Sequence, residues 1–411
     1  MLRSSTATYM EFDRKKFLVS EQLFVLLSVM IDKLILAPYW LTLKMRHVFY
    51  DHGLFRSYPC EVPTICVGNI TAGGTGKTPH TEMILETLLE SDDWAFRNLA
   101  VLSRGHKRSS RGFQQVGMDG SAAFCGDEPL QIKKGFPAVT VAVDRSRLEG
   151  CDFLCHPDKL EGSRKGRRCL NRDFPPSDLI VLDDAFQYRS LRPFISIVLV
   201  DWNRPLNKDH LLPLGRLRDL PERLRKADMI IVTKCPVYME NWEKAGWVKT
   251  LGISDFDTSS CEGVNRDGRK VKVFFTCIRY QELQPVFPED GDKRFTYSKK
   301  LILFTGIAKD TPLRMYLSDR YKLVRRFNFN DHHKYRAMDI RRIMSAAQEN
   351  PTAVVVSTVK DSQRLMDCKK VPETLRQRLF QIPIKVVFLT GEEKAIFTSS
   401  LLGRLREFRS E

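Results

Sequence analysis

A chain of 411 residues and 47.5 kDa has room for roughly two to three domains at about 150 residues each, which excludes a peptide hormone or a disulfide knot. Hydrophobic residues make up 43% and charged residues 28%, with only 23 Gly and 20 Pro, so a packed globular chain is expected and neither disorder nor a collagen-like repeat fits. The 66 Lys plus Arg against 50 Asp plus Glu give a net charge of +16, a field that concentrates anions without choosing among nucleic acid, acidic lipid and phosphorylated ligands.

Ten cysteines at scattered spacing suit the thiols of a reducing compartment better than a disulfide scaffold. The apolar run Leu23 to Ile31, interrupted by Ser28, is about half of the ~20 residues a spanning helix needs. Arg14, Lys15 and Lys16 precede it as in a signal peptide, but Glu21, Asp32 and Lys33 bracket it and no small-residue cleavage site follows. Neither a spanning helix nor export is expected. From Leu34 to Phe49, apolar residues with Tyr39 and Trp40 mix with Lys44, Arg46 and His47. Such a segment suits a helix lying in a lipid interface, or an amphipathic helix packed on the protein's own core, with a kink or break at Pro38.

From Pro63 onward, short β-rich runs alternate with helix-length segments, the pattern of a parallel sheet covered by helices. The first run, Thr64 to Val67, leads into Gly68-Asn69-Ile70-Thr71-Ala72-Gly73-Gly74-Thr75-Gly76-Lys77-Thr78 and then a predicted helix, Thr81 to Leu89. Strand, glycine loop and helix form the context of a phosphate-binding P-loop. Glycines let N–H groups curl around phosphate, Lys77 reaches the β and γ phosphates, and Thr78 ligates Mg²⁺. Thr71 replaces the first consensus glycine.

Further runs follow at Leu99 to Leu102 and Val139 to Val143. Just beyond the latter, Arg145 and Arg147 offer planar guanidinium groups for phosphate, or merely a solvated surface. Cys151, Cys155 and His156, with Cys169 further on, offer one close cysteine pair but neither a second pair nor a well-placed fourth ligand for zinc, and read as incidental thiols. Asp158 to Arg172 reads as a loop. The apolar run Leu179 to Leu182 delivers Asp183 and Asp184 to the carboxyl edge of the sheet, where an acid is wanted for a metal bound to phosphate. After Ile195 to Val200 comes a second series: Met229 to Val232, Val273 to Phe275, Leu301 to Phe304, Ala353 to Val356 and Val386 to Leu389. Ser254 to Lys270 reads as another loop. Ten strands are expected to divide into two sheets.

In order and spacing, Val62 to Pro79, Leu102-Ser103-Arg104-Gly105, Gly126-Asp127-Glu128-Pro129, Asp183-Asp184-Ala185-Phe186-Gln187, Leu211-Leu212-Pro213 with Gly215 to Arg218, and Asp331-His332-His333 resemble the tetraacyldisaccharide 4′-kinase family of lipid A biosynthesis, from about Leu41 to Leu365. The resemblance implies transfer of the γ-phosphate of ATP, with Mg²⁺, to the 4′-hydroxyl of a tetraacylated glucosamine disaccharide 1-phosphate, giving lipid IVA. It also implies a peripheral, monomeric enzyme at the cytoplasmic face of the bacterial inner membrane, touching lipid through its N-terminal helix and binding no nucleic acid. The implied fold is α/β: a P-loop domain over 51–194, to which the tail 396–411 returns, and a second, smaller α/β domain over 195–395 closing on the site, after a membrane-associated segment 1–50.

Carried over block by block, Asp127 is the base and His332 its partner, with Asp331 supporting His332. Lys77 clamps phosphate beside Gly73, Gly74, Thr75, Gly76 and Thr78. Gln187 joins the nucleotide site, Arg145 takes substrate phosphate in preference to Arg147, and Thr78, Asp183 and Asp184 hold the metal. By the residues alone, Asp127 before Pro129 reads as an ordinary turn or helix-cap acid. The adjacent histidines are badly spaced for a two-His metal site. The sequence departs from the family pattern at His106, Ala185, Tyr188 and Val359. A deviant P-loop ATPase of the partitioning or metallochaperone type is disfavoured by Ala72 where its signature Lys belongs. A GTPase is disfavoured by Pro236 closing Thr233-Lys234-Cys235-Pro236 where its base-reading carboxylate belongs. Basic clusters at Arg104 to Arg111 and Arg164 to Arg172 leave an anionic-lipid or nucleic-acid binding protein as the non-enzymatic alternative, though they lack interleaved aromatics.

Overall fold

The computed structural model describes residues 34–164, 166–368 and 371–408; the apolar run Leu23 to Ile31 and its flanking charges lie outside them. The described chain opens on helix α1 (34–51), then builds a sheet from β1 (Thr64–Asn69), β2 (Leu99–Ser103), β3 (Gln114–Gln115), β4 (Thr140–Val143), β5 (Leu179–Asp183), β6 (Ile195–Asp201), β7 (Met229–Thr233), β8 (Ile253–Asp257), β9 (Glu262–Asn265) and β10 (Lys270–Tyr280). A second sheet follows, from β11 (Gln284–Pro285), β12 (Lys300–Thr305), β13 (Lys322–Asn328), β14 (Val354–Thr358) and β15 (Leu379–Ile382), before β16 (Ile384–Phe388) rejoins the first. The helices that matter to the site are α2 (Lys77–Leu89), α3 (Asp127–Gly135), α4 (Arg147–Cys155), α5 (Val359–Met366) and α6 (Gly391–Glu407).

Among the described residues the first sheet has eleven strands in the order β3-β4-β2-β5-β1-β6-β7-β10-β9-β8, with β16 also on β10. The pairings from β4 through β10 are parallel. Strands buried on both faces read as continuous apolar runs, and β1, β5, β6 and β7 are buried at every position. Alternation then sorts their side chains into two cores. Cys66, Leu102, Ile180 and Leu182 face one side with Cys151 and Leu154 of α4. Ile65, Val67, Val101 and Val181 face the other with Ile84 and Leu88 of α2 and Phe397 and Leu401 of α6.

Two sheets are present, but they do not divide near Ile195. β6 pairs with β1 from Ile65↔Ile195 onward and β7 pairs with β6, because both are apolar on both faces and complete the interior of the first sheet. The change of sheet comes after Tyr280. The segment Ser254 to Lys270 is no loop either: it carries most of β8 and all of β9, an antiparallel extension at the sheet edge. Residues 159–162 and 166–168 are likewise short helical turns. Pro38 does not end α1, which is helical on both sides of it.

No described helix is long and apolar enough to cross a membrane. α1 instead has two apolar faces. Leu43 and His47 are buried, with Tyr39 donating to the Arg218 carbonyl at 3.0 Å and His47 Nε2 at 2.6 Å from Asp219. Leu34, Leu41, Met45 and Val48 lie on the opposite side and are exposed.

Candidate functional site

β1 ends at Asn69, and the loop 70–76 turns directly into α2 at Lys77. Gly73 and Gly76 stand at φ +109° and +89°, conformations an L side chain resists, so the loop can fold back over the helix N-terminus. Its shape is fixed from four sides. The Asn69 side chain donates to Thr75 Oγ1 at 2.6 Å, Thr233 donates to the Thr75 carbonyl at 3.0 Å, Lys234 donates to the Gly74 carbonyl, and the Ala72 N–H reaches the Arg216 carbonyl. The result is a set of backbone N–H groups and a lysine at one helix start, a ready anion site.

β5 lies beside β1 in register, Val67 opposite Asp183, so both acids after the apolar run arrive at the mouth of the loop. Their environments differ. Asp183 is 1% exposed, accepts from Ser103 Oγ at 3.1 Å, and its Oδ1 is buried with no hydrogen-bond partner. Burial, with Glu128 and Asp184 nearby, pushes its carboxyl up to about 7. Asp184 sits at φ +52°, 3.6 Å from Lys77 Nζ, and takes both terminal nitrogens of Arg218. Burial would raise its carboxyl, but Lys77 and Arg218 outweigh burial and hold it low. A buried carboxylate oxygen lacking any donor, next to a second acid and close to a phosphate cradle, fits a hard divalent cation such as Mg²⁺. Thr78 lies in the first turn of α2 and is 2% exposed.

The Asp127–His332 juxtaposition is present. Asp127 opens α3 and is 7% exposed; His332 comes from the loop after β13, at φ +62°, with its N–H on the Gly306 carbonyl. His332 Nδ1 lies 3.4 Å from Asp127 Oδ2, while Nε2 faces Asp331 at 3.9 Å, beyond hydrogen-bond range. Arg364 of α5 also donates to Asp127 Oδ2, through Nε at 3.1 Å and through Nη2. Burial would raise the Asp127 carboxyl; contacts with His332 and Arg364 override it and hold the group well below the usual carboxylate range. Beside it Glu128 pairs with Lys360 and is close enough to Lys77 to feel its charge. Helix α3 and the loop 70–76 thus share one electrostatic site.

Other expected residues are placed differently. The Gln187 side chain is committed to the Asn69 carbonyl at the end of β1, so it steadies the loop rather than facing open space. Arg145 is exposed. Arg147 is 3% exposed, bonds the Asp184 carbonyl at 3.3 Å and faces the ring of Tyr188 at 6.0 Å; Tyr188, one of the departures, thereby packs an arginine. His106, another, brings its ring within 5.7 Å of His332. His156 pairs with Glu61 at 2.9 Å, and Cys155 faces Cys60 at 3.8 Å. Arg364, Lys360, Ser103 and Arg218 join the site without being expected there from the sequence. The pattern Lys-Asp-x-x-Arg at the start of a helix was the available signal for the first two: one turn of α5 puts Lys360 and Arg364 on the same face.

The tetraacyldisaccharide-1-phosphate 4′-kinase family model matches residues 33–406. A tetraacyldisaccharide 4′-kinase of Phocaeicola vulgatus is 33% identical over 88% of this chain and 91% of its own length. The enzyme of the same name from Bacteroides thetaiotaomicron is 32% identical over 90% and 91%, and that of Porphyromonas gingivalis is 33% identical over 89% and 94%. In structure, the chain is similar to LpxK of Aquifex aeolicus crystallised in complex with ATP, with a TM-score of 0.62, 23% identity, and coverage of 91% of this chain and 99% of that one.

Proposed function

We propose, for a chain that belongs to the tetraacyldisaccharide-1-phosphate 4′-kinase family, that it transfers the γ-phosphate of ATP to the 4′-hydroxyl of a tetraacylated disaccharide 1-phosphate, forming lipid IVA. The observation that carries the site assignment is the convergence of Asp127 and His332, 3.4 Å apart, beside a lysine-bearing glycine loop. A shared fold alone would not require that pair.

In this reading the loop 70–76 is the P-loop. Its N–H groups and Lys77 hold the β and γ phosphates, and the contacts of Asn69, Thr233 and Lys234 pre-set its shape so that little ordering remains on binding. Gln187 serves the nucleotide site by holding Asn69. Thr78, Asp183 and Asp184 would hold Mg²⁺, which when bound neutralises charge on the phosphate oxygens. Arg145 and Asp331, both exposed, are assigned to substrate binding, Arg145 at the substrate phosphate. Asp127 takes the proton of the 4′-hydroxyl as its oxygen bonds to the γ-phosphorus and the bond to the bridging oxygen breaks, releasing ADP. A carboxylate held so far down is a weak base. That suffices because the transition state of phosphoryl transfer is loose, and the acceptor proton is lost late. His332 orients the carboxylate, and its ring shields the site on the side of His106.

The exposed stripe Leu34, Leu41, Met45 and Val48 on α1 supports a peripheral seat on the cytoplasmic face of the inner membrane, with the +16 charge drawing the protein to anionic lipid. All assigned site residues come from one chain, so the unit of function is a monomer, with the P-loop in the first sheet unit and the second sheet unit bringing His332. The test is incubation with ATP and a tetraacyl disaccharide 1-phosphate, with mass analysis of the product. One added phosphate at the 4′ position is expected, with Lys77→Ala and Asp127→Asn each at least ~100-fold slower while remaining folded. An unmodified lipid, or wild-type turnover in either variant, removes the assignment.

A further inference from the structure

We infer that Arg364 is a positioning residue for phosphoryl transfer: from the second sheet unit it pins one oxygen of Asp127 and faces Nδ1 of His332, leaving the other carboxylate oxygen to meet the acceptor hydroxyl. The inference rests on the reading of Asp127 as the base.

The geometry is specific. Arg364 is 8% exposed, and its fork is fully engaged. Nε and Nη2 donate to Asp127 Oδ2, Nη2 also faces His332 Nδ1 at 3.1 Å, and Nη1 donates to the Gly306 carbonyl and to Asp361 Oδ1, each at 3.1 Å. Asp361 is itself fixed, accepting from the Gly306 N–H at 3.0 Å and from Thr358 Oγ1 at 2.7 Å. Both the His332 and the Arg364 contacts fall on Oδ2 of Asp127. The two partners therefore define which oxygen is held and which is presented. Asp127 and Arg364 are 237 positions apart in the chain and belong to different sheet units, so the carboxylate is oriented only when the two units are together. A lysine offers one point charge where this arrangement uses three nitrogens in a plane, so it cannot reproduce the fork.

The groups facing Asp127 are His332, Arg364 and Lys360, with Glu128 beside it. Loss of Arg364 removes one of the cations that hold the carboxyl down, which gives a readout that a merely structural role would not move. For Arg364→Gln we expect kcat to fall at least ~30-fold with the KM for ATP changed less than about threefold, and the acid limb of the kcat profile to move to higher pH by at least about half a unit. Arg364→Lys should recover part of kcat and return the acid limb toward wild type. In a double-mutant cycle, adding Arg364→Gln to Asp127→Asn should cost less than about threefold more, because the positioned group is already gone. Unfolding temperatures of all four proteins report whether folding is intact. The inference is overturned if Arg364→Gln keeps kcat within threefold, if the acid limb stays put while activity falls in step with stability, or if the two losses multiply. Turnover retained by Asp127→Asn alone would instead remove the base assignment, a separate result.

Discussion

Two adjacent acids, Asp183 and Asp184, show how environment and not identity sets a side chain's role. One is buried beside a serine and pushed up to about 7; the other faces Lys77 and Arg218 and is held low. Their order in sequence was legible, but this split was not, since it depends on Arg218 and Ser103 arriving from elsewhere in the chain. The same holds for Arg364, for which sequence offers only a spacing. His80 gives a cleaner test of buried electrostatics. It is 1% exposed, with Nδ1 at 2.7 Å from the Gly76 carbonyl and Nε2 at 3.0 Å from Thr276 Oγ1; burial drives its imidazolium form down to about 4 from an ordinary value of 6.5. The folded state thus binds this proton less readily than the unfolded state. Its stability contribution is intact above pH 6.5 and drains away as pH falls through 6.5 toward 4. His80→Gln should be less stable than wild type at pH 7, with the gap narrowing by about 2 kcal/mol at pH 5. Denaturant titrations at the two pH values measure it, and a gap independent of pH contradicts the buried neutral histidine.

The elements most legible in the sequence were the central strands, because a parallel strand covered on both faces is a plain apolar run, as in Ile195 to Val200. The edges were not. In β8 only Ile253 is buried, and in β13 only Phe327, so neither carries a pattern that separates it from a loop. In sequence, helix α1 fits either a lipid contact or a core helix; in the fold one side packs on the protein and the opposite side is exposed. Positions 39, 43, 47 and 50 recur at helical spacing toward the protein, and 34, 41, 45 and 48 point away from it. If the outer stripe seats the enzyme on lipid, Leu41→Glu with Met45→Glu should abolish co-flotation with anionic vesicles. The fold should survive, since both side chains are about half exposed, at 52% and 47%. Inserting two such side chains is worth about 3 kcal/mol, a loss of roughly a hundredfold in partitioning. Turnover on detergent-dispersed substrate should change far less. Unaltered flotation would show that this stripe does not hold the membrane.

The two sheet units meet through more than the Asp127–His332 pair. Helix α5 lies against α3, and the contact extends past Asp127 and Arg364: Lys134 donates to Gln363 at 2.6 Å and the Ala123 N–H to Asp367 at 3.1 Å, with Lys134 also within reach of the Asp367 charge. These contacts touch neither the loop 70–76 nor Asp127, yet they join α5, which carries Arg364, to the segment around α3. That makes the seam separable from the chemistry. Asp367→Lys removes the bond to Ala123 and sets two cations against each other across the seam. Asp367 is exposed and Lys134 half-buried, so the energetic effect is about 1 kcal/mol, too small to unfold either unit but enough to weaken the docking of one unit on the other several-fold. We expect kcat to fall about three- to tenfold, with more rapid proteolysis between the units and no change in the pH at which the acid limb falls, since the docked fraction retains Arg364 on Asp127. Lys134→Glu combined with Asp367→Lys exchanges the charges and should restore kcat. If the exchange fails to restore it while each unit remains folded, the seam does not govern docking, and the docking of Arg364 and Lys360 on α3 carries the approach of the two sheets by itself.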